Sequence, residues 1–248
     1  MRELAGKTAL ITGGGGGVGA ALALAFAEAG AKVWISGRSE EPLQRIAVRH
    51  EAISSVVADV TDEPSVKAMF DTSGPCHIVI ANAGASESAA FAKTDIDAWR
   101  RMIDVNLTGV FLTLREGLLQ LPGPGGRLIA VASTAGLKGY AYVAPYAAAK
   151  HGVVGLVRSL ALEIAKSGIT VNAICPGFLD TEMTDRSVAN IVAKTGKTEE
   201  QARSALAGLN PQGRLIQPRE VAATALWLCG EGAASINGQA ISLSGGEV

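Results

Sequence analysis

The sequence predicts an α/β protein built on one doubly wound, parallel, seven-stranded sheet with helices on both faces. Short runs that are apolar on both faces alternate with helical patterns along most of the 248 residues. Right-handed crossovers join parallel strands, so such a chain winds on both sides of its sheet. No Pro/Ser-rich linker or shift in composition divides the chain, and we therefore predict a single domain over residues 1–248.

Strand and helix patterns follow each other in a regular order. Predicted strands span 7–12, 32–36, 54–58, 77–81, 127–132, 169–174 and 239–243. Helical patterns lie near 18–29, 41–49, 63–70, 97–120, 145–166 and 218–229. The alternation breaks at 177–217, a long insertion with short helical patterns near 185–195 and 198–207. It follows the carboxyl end of a strand, where open α/β sheets bind ligands, so we predict a substrate lid. A disordered surface excursion is the alternative.

Composition and charge narrow the class of protein. Apolar residues make up 48% and charged residues 18%, which favours a buried core over disorder. A net charge of −1 gives no electrostatic reason to expect nucleic acid or an anionic membrane as a partner. No apolar run approaches the length of a membrane span, and no charged-then-apolar leader opens the sequence. We therefore expect a cytoplasmic protein that acts on small molecules.

The number and spacing of the cysteines are consistent with the expected cytoplasmic location. Cys76, Cys175 and Cys229 are odd in number and far apart, and each lies in or beside an apolar segment. No pair has metal-ligand spacing, so we expect reduced thiols in or near the core and no metal site. A reducing cytoplasm is the default compartment for such a chain.

Five consecutive glycines stand at Gly13 to Gly17, in the stretch TGGGGGVG at 12–19. They suggest either a flexible joint or a turn that a ligand approaches so closely that no Cβ is allowed. A β-prone run precedes them and the helical pattern AALALAFAEAG follows. Strand, glycine turn and helix together are typical of a phosphate-binding turn, where main-chain N–H groups meet an anion.

Tyr146 and Lys150 stand four residues apart in PYAAAKHG, which puts both side chains on one helix face. A free tyrosine, with a pKa of about 10, exchanges protons poorly near neutrality, and a neighbouring ammonium favours the phenolate. Alone, the pair is common on solvated helix faces.

Three more polar residues lie in apolar surroundings. Ser133 closes the predicted strand RLIAVAS, where its hydroxyl can polarise a carbonyl. Asn106 lies inside an apolar helical pattern, where its amide needs partners, and a bridge to the main chain is its structural interpretation. Asn82 follows the strand HIVIA in the turn ANAG. Singly, each residue is more often structural than catalytic.

Together these motifs resemble one family, the short-chain dehydrogenase/reductases, whose fold is of the Rossmann type. The similarity extends over essentially the whole chain, including a last strand like GQAISLSGG at 238–246. It implies cofactor-binding roles for Gly13, Gly17, Val18, Gly19, Asp59, Val60, Asn82, Ala83, Gly84, Pro176, Gly177 and Thr181. It also implies a catalytic tetrad of Asn106, Ser133, Tyr146 and Lys150. The chain departs from the family pattern at Ala81, where many members carry asparagine, and at 14–16, where extra glycines are expected to loosen the turn.

The resemblance implies hydride exchange between a nicotinamide cofactor and a ketone or secondary alcohol. Tyr146 would exchange the oxygen-bound proton, and Ser133 would hydrogen-bond the same oxygen. Lys150 would lower the tyrosine pKa and hold the ribose hydroxyls, so Tyr146 and Lys150 would also contact the cofactor. Asn106 would anchor a water molecule that links Lys150 to solvent.

The residues after the second strand predict a preference for NADP(H), with NAD(H) possible. An acidic residue about 20 positions beyond the glycine turn often binds the adenosine 2′-hydroxyl, whereas an arginine accommodates a 2′-phosphate. Gly37 stands at that position and Arg38 follows, with Ser36 and Ser39 as further donors. Glu40 and Glu41 are expected to start the next helix. The alternative is that Arg38 only stacks on adenine and tolerates either cofactor.

The substrate is less defined by sequence. Apolar residues of the predicted lid and floor suit a medium apolar ketone or a 3-oxoacyl thioester: Phe178, Leu179, Met183, Val188, Ile191, Leu137 and Tyr140. Lys138 is interpreted as a solvated surface lysine or as a partner for an anionic group. The motif layout is most similar to 3-oxoacyl-carrier-protein reductases and 3-hydroxyacyl or 3-hydroxybutyrate dehydrogenases. A non-catalytic dinucleotide sensor or scaffold and an NAD-dependent secondary alcohol dehydrogenase are the alternatives. A sugar-nucleotide epimerase would need a larger C-terminal domain.

A homotetramer is expected. The helical patterns near 97–120 and 145–166 are apolar on more than one face, at Val110, Phe111, Leu112, Leu114, Val153, Val154, Leu156 and Val157. The resemblance implies pairing through these helices and a second two-fold interface through the last strand.

Overall fold

Seven parallel strands form one sheet in the computed structural model, which describes residues 3–248. Residues 1 and 2 of the predicted domain lie outside the described residues. The strands are β1 Thr8–Thr12, β2 Lys32–Gly37, β3 Ile53–Val57, β4 Ile78–Ala81, β5 Arg127–Val131, β6 Thr170–Pro176 and β7 Ala240–Leu243. Their order, β3-β2-β1-β4-β5-β6-β7, reverses between β1 and β4. The predicted fold class is confirmed, and this reversal creates the crevice where doubly wound sheets bind ligands.

Helices cover both faces of the sheet. They are α1 Gly17–Glu28, α2 Glu40–Ala47, α3 Glu63–Ser73, α4 Ile96–Ile103, α5 Gly109–Gln120, α6 Ala144–Glu163, α7 Glu182–Thr195, α8 Glu199–Ala207 and α9 Pro218–Cys229. The predicted helix over 97–120 is confirmed, because the chain is helical from Ile96 to Gln120, but a π-helical turn at Asp104–Thr108 interrupts its α-helical hydrogen bonding between α4 and α5. Hydrophobic periodicity does not register so short a change of helical pitch.

The core forms two layers, one on each face of the sheet. Successive residues of a strand point to opposite faces, so Leu10 packs with α3, α5 and α6 while Ile11 packs with α1 and α9. Phe26 of α1 and Phe70 of α3 are fully buried, one in each layer. Burying side chains of this size contributes roughly 1.5–3 kcal/mol each, which is why both faces of the strands are apolar.

The segment 177–217 is folded rather than a disordered excursion. Its helices α7 and α8 share a small apolar cluster around Val188 and Leu206. The guanidinium group of Arg203 binds the carboxylates of Asp180 and Asp185, which ties α8 to the start of the segment. No helix within residues 3–248 is long and apolar enough to cross a membrane.

Candidate active site

The glycine turn joins β1 to α1 beside the crevice. Gly13 and Gly17 have φ of +69° and +51°, the left-handed region that favours glycine. A Cβ on Gly13 would lie 2.9 Å from the Cα of Ala83, so no side chain fits between this turn and the turn after β4. The first turn of α1 contains no acidic residue. The N–H groups and the positive dipole end of α1 therefore favour an anion at this end of the helix.

The additional glycines are close-packed, contrary to the expectation that they loosen the turn. A Cβ on Gly14 would lie 2.5 Å from Cβ of Ile35, and one on Gly15 would lie 2.9 Å from Cβ of Pro42. Both separations are too short for non-bonded carbons. These two positions therefore need glycine for packing.

The start of segment 177–217 lies over this turn. Thr181 Cγ2 is 3.5 Å from the position of a Cβ on Gly17, and the Glu182 carboxylate is 3.3 Å from that of a Cβ on Gly16. The sequence predicted the role of Thr181 by resemblance, but gave no sign of Glu182, since no spacing rule relates it to the turn.

The loop after β2 carries an exposed cation. Arg38 is exposed just after β2. Main-chain and side-chain hydrogen bonds from Thr61 hold the pKa of Asp59 below its ordinary value despite burial, and the Arg38 charge adds to this effect. Ser36 is wholly buried, so its predicted role as a donor to a phosphate is wrong. As expected, α2 begins at Glu40.

Ser133, Tyr146 and Lys150 meet at the carboxyl edge of the sheet. β5 ends at Val131, one residue before the predicted end at 132, and the Oγ of Ser133 accepts a hydrogen bond from the Ala135 N–H (3.1 Å). α6 places Tyr146 and Lys150 one turn apart. Lys150 Nζ donates to the Val131 carbonyl (2.9 Å) and lies 5.5 Å from the centre of the Tyr146 ring.

Burial dominates the electrostatics of this group. It raises the pKa of the Tyr146 phenol, although hydrogen bonding with Ser133 opposes the shift. It lowers the pKa of Lys150 to about 8 and raises that of the nearby Cys175 thiol to about 11. Tyr146 is therefore neutral at pH 7, and its pKa is raised where the resemblance implied a lowered value. Desolvation outweighs the hydrogen bond with Ser133.

Comparison with known proteins identifies the family. The family model described as short chain dehydrogenase matches residues 7–191. The chain belongs to the short chain dehydrogenase family. It is an oxidoreductase that interconverts ketones and alcohols.

Relatives match over nearly their whole length. The chain is 36% identical to the 3-oxoacyl-(acyl-carrier-protein) reductase of Vibrio cholerae, covering 98% of each chain. It is 34% identical to a D-beta-hydroxybutyrate dehydrogenase of Rhizobium meliloti, covering 97% of this chain and 98% of that protein. A crystal structure of an actinorhodin polyketide ketoreductase variant with NADPH superposes with a TM-score of 0.91 at 34% identity, covering 97% of each chain.

Asn106 of this short chain dehydrogenase lies at the centre of the π-helical turn and is fully buried. Its Nδ2 donates to the carbonyls of Ala85 (2.8 Å) and Met102 (3.0 Å), and its Oδ1 accepts from the Ala85 N–H (3.2 Å). The side chain is thus the bridge to the main chain that sequence offered as its structural interpretation. It also lies near Lys150, because a Cβ on Gly84 would lie 2.8 Å from Asn106 Oδ1 and 3.7 Å from Lys150 Nζ.

Sequence reasoning missed Glu247 of this short chain dehydrogenase. The Tyr140 hydroxyl donates to Glu247 Oε1 (2.7 Å) and lies 2.6 Å from Thr134 Oγ1. Lys138 Nζ lies 2.8 Å from the same carboxylate oxygen. Lys138 is therefore neither simply solvated nor free to bind another anion. No spacing rule relates Glu247 to residues more than 100 positions earlier, and only its place just after the last strand hinted at proximity.

Proposed function

We propose that the protein is an NADP(H)-preferring ketone reductase or alcohol dehydrogenase that uses Ser133, Tyr146, Lys150 and Asn106. The observation that carries the proposal is the meeting of Ser133, Tyr146 and Lys150 at the carboxyl edge of the sheet, beside the glycine turn. A binding module has no use for a buried phenol and a buried ammonium side by side, since both cost stability.

The residues present fit a nicotinamide dinucleotide. The cradle between Gly13 and Ala83 leaves no room for a side chain, and the first turn of α1 lacks its own acid. Arg38 is the candidate for the 2′-phosphate, because a guanidinium binds phosphate through two donors. The proposed dinucleotide-binding residues are Gly13, Gly17, Val18, Gly19, Arg38, Asp59, Val60, Asn82, Ala83, Gly84, Tyr146, Lys150, Pro176, Gly177 and Thr181. When bound, the cofactor supplies or accepts the hydride.

The chain's own residues handle the proton. In reduction, the Tyr146 hydroxyl donates its proton to the carbonyl oxygen, while the Ser133 hydroxyl hydrogen-bonds that oxygen. Lys150, still largely protonated at pH 7 because its pKa is about 8, stabilises the phenolate that remains. Oxidation of an alcohol reverses these steps. Asn106 holds the turn after β4 against Lys150. We propose that Lys150 passes a proton to the Tyr146 phenolate and regains one from solvent through a water molecule beside Asn106.

We propose that segment 177–217 is the lid of a single catalytic domain over 1–248. Phe178 packs edge-on against Tyr140, with ring centres 6.1 Å apart, so lid and floor meet beside Tyr146. Val188 is buried inside the lid and stabilises it rather than lining the site. An apolar lid and floor suit a medium apolar ketone or a 3-oxoacyl thioester, the latter in keeping with the name of the Vibrio relative. A cytoplasmic location is part of the proposal, because all three cysteines are free thiols.

We also propose a homotetramer, on revised grounds. Of the apolar residues on which sequence based this expectation, most are buried within the protomer: Val110, Leu112, Leu114, Val153, Val154 and Val157. Of that set, Phe111 on α5 is 41% exposed. Two further leucines that the expectation did not name are exposed as well, Leu119 on α5 (72%) and Leu162 on α6 (82%). Trp227 of α9 is also half exposed. Exposed large apolar side chains on three different helices suit more than one two-fold interface.

Nicotinamide absorbance with a panel of ketones and alcohols tests the proposed function. We expect NADPH-dependent reduction of at least one apolar ketone or 3-oxoacyl thioester. Tight NADPH binding without turnover across the panel would instead support the sensor or scaffold alternative.

A further inference from the structure

Glu247 places a carboxylate in the wall of the proposed substrate site. Only 5% of its side chain is exposed, and its Oε1 binds both Lys138 and the Tyr140 hydroxyl. Tyr140 lies close enough to Tyr146 for the second phenol to raise the pKa of the first. Through Tyr140, Glu247 is linked to the place where the proposed floor of the site meets Phe178 of the proposed lid.

This carboxylate neutralises the local cation. Lys138 is the one lysine or arginine in the floor segment 134–143, and its ammonium lies 2.8 Å from Glu247. It also lies 5.0 Å from the centre of the Tyr140 ring, so two partners hold it in the wall. With its carboxylate partner in place, Lys138 attracts an external anion far less than a free ammonium would.

The wall of the proposed substrate site also contains hydrogen-bond acceptors that have no donor among the described residues. Glu247 Oε2 is buried without a hydrogen-bond partner in residues 3–248, and it lies 3.5 Å from the position of a Cβ on Gly177. Asn210 Oδ1, equally without a partner among these residues, lies 2.5 Å from that same position. These oxygens carry negative charge just behind the surface, so they repel an anionic ligand beside it, whereas a neutral ligand is not repelled.

We propose that Glu247 is a specificity-determining residue that excludes substrates with a free carboxylate next to the reacting carbonyl. The site then selects neutral ketones, esters or thioesters. This inference rests on the proposed function. It separates the chain from the activity for which the Rhizobium relative is named, because hydroxybutyrate carries a free carboxylate. Exclusion is achieved by like-charge repulsion, a common basis of specificity.

The test compares acetoacetate with its neutral methyl ester in the wild-type protein and in Glu247→Gln. The amide keeps the shape of the side chain and an acceptor for Tyr140, but leaves Lys138 unneutralised. We expect the ratio of kcat/KM for acetoacetate over the ester to rise by about tenfold or more, with the gain shrinking as salt is raised. Measuring both substrates on each variant cancels any general loss of activity.

Two controls sharpen the test. Glu63→Gln removes a carboxylate that pairs with Arg115 away from the site, and its ratio should equal that of wild type. Adding Lys138→Met to Glu247→Gln should abolish the gain, since the attracting cation is then gone. A ratio unchanged in Glu247→Gln would overturn the proposal.

Calorimetric titration of acetoacetate into the protein with NADP⁺ keeps the two proposals distinguishable. If the wild-type protein reduces no ketone, the proposed function fails, while tighter acetoacetate binding by Glu247→Gln still supports the charge-exclusion role. Equal binding by both proteins would refute that role regardless of turnover.

Discussion

Lys150 and Tyr146 are held one helical turn apart, with the ammonium nitrogen 5.5 Å from the centre of the phenol ring. The ammonium also donates to the Val131 carbonyl, so strand β5 fixes its position. Burial works against the charge of both groups, raising the pKa of the phenol and lowering that of the amine. Burying two groups whose charged forms are disfavoured costs folding stability, which supports the proposal that they belong to an active site.

Tyr146→Phe should lower kcat by about 10²–10⁴-fold, because it removes the proton donor while the ring still fills its place. Affinity for NADPH should change little. Stopped assays for turnover and fluorescence titration for binding separate the two effects. If the variant retained more than about half of the wild-type rate, Tyr146 would not be the acid.

Lys150→Met should stabilise the ligand-free protein at pH 7 by ~1–3 kcal/mol while weakening NADPH binding and turnover. The pKa of Lys150 is about 8 in the folded protein against an ordinary 10.5, so folding opposes its protonation. Below pH 8 both states carry the proton and the full cost is present. Between pH 8 and 10.5 the unfolded state binds more protons, so wild-type stability gains with rising pH.

The difference in stability between Lys150→Met and wild type should therefore shrink from pH 8 to pH 10. Urea unfolding at each pH measures it, and the comparison between the two proteins cancels other titrating groups. A variant less stable than wild type at pH 7 would show that the hydrogen bond to Val131 outweighs desolvation.

Wild-type protein should show a higher kcat/KM with NADPH than with NADH. Gly37→Asp/Arg38→Leu should reverse the preference, because a carboxylate replaces the guanidinium where the 2′-phosphate is expected. Arg49→Leu provides a matched control, because it removes an exposed arginine just after α2 and leaves Arg38 in place. A ratio unmoved by the double change would support the alternative in which Arg38 only stacks on adenine.

Gly14→Ala should destabilise the protein by about 1–3 kcal/mol, since the added Cβ would lie 2.5 Å from Cβ of Ile35. Gly232→Ala is the matched control, because a Cβ there meets nothing within 4 Å. Thermal unfolding of both variants gives the comparison. Equal melting temperatures for the two variants would mean that the glycine turn accommodates the added methyl group without loss of stability, in line with the loose turn expected from the sequence.

Light scattering at micromolar concentration should report a particle near four times the protomer mass of 25.3 kDa. Phe111→Glu should reduce that mass, because the half-exposed ring would lie in an interface between α5 helices. A wild-type particle of one protomer mass would contradict the tetramer.

The sequence by itself determined the layered α/β fold and the main motifs. Two-sided apolar strands can be buried only between two helix layers, and glycines bracketed by a strand and a helix permit a close main-chain turn. The shared helix face of Tyr146 and Lys150 could also be predicted from the sequence, because a spacing of four residues places two side chains on one face whatever the tertiary structure. Local rules sufficed for each of these features.

Only the tertiary structure decided the features that join distant parts of the chain. It placed Glu247 on Lys138 and Tyr140, set Glu182 over the glycine turn and packed Gly14 against Ile35. Burial raises the pKa of Tyr146, whereas the family resemblance implied a lowered pKa. This burial is likewise a property of the assembled core. Side-chain periodicity describes neighbours along one element. Contacts between elements depend on how the whole sheet twists and where its loops return, so no local pattern encodes them.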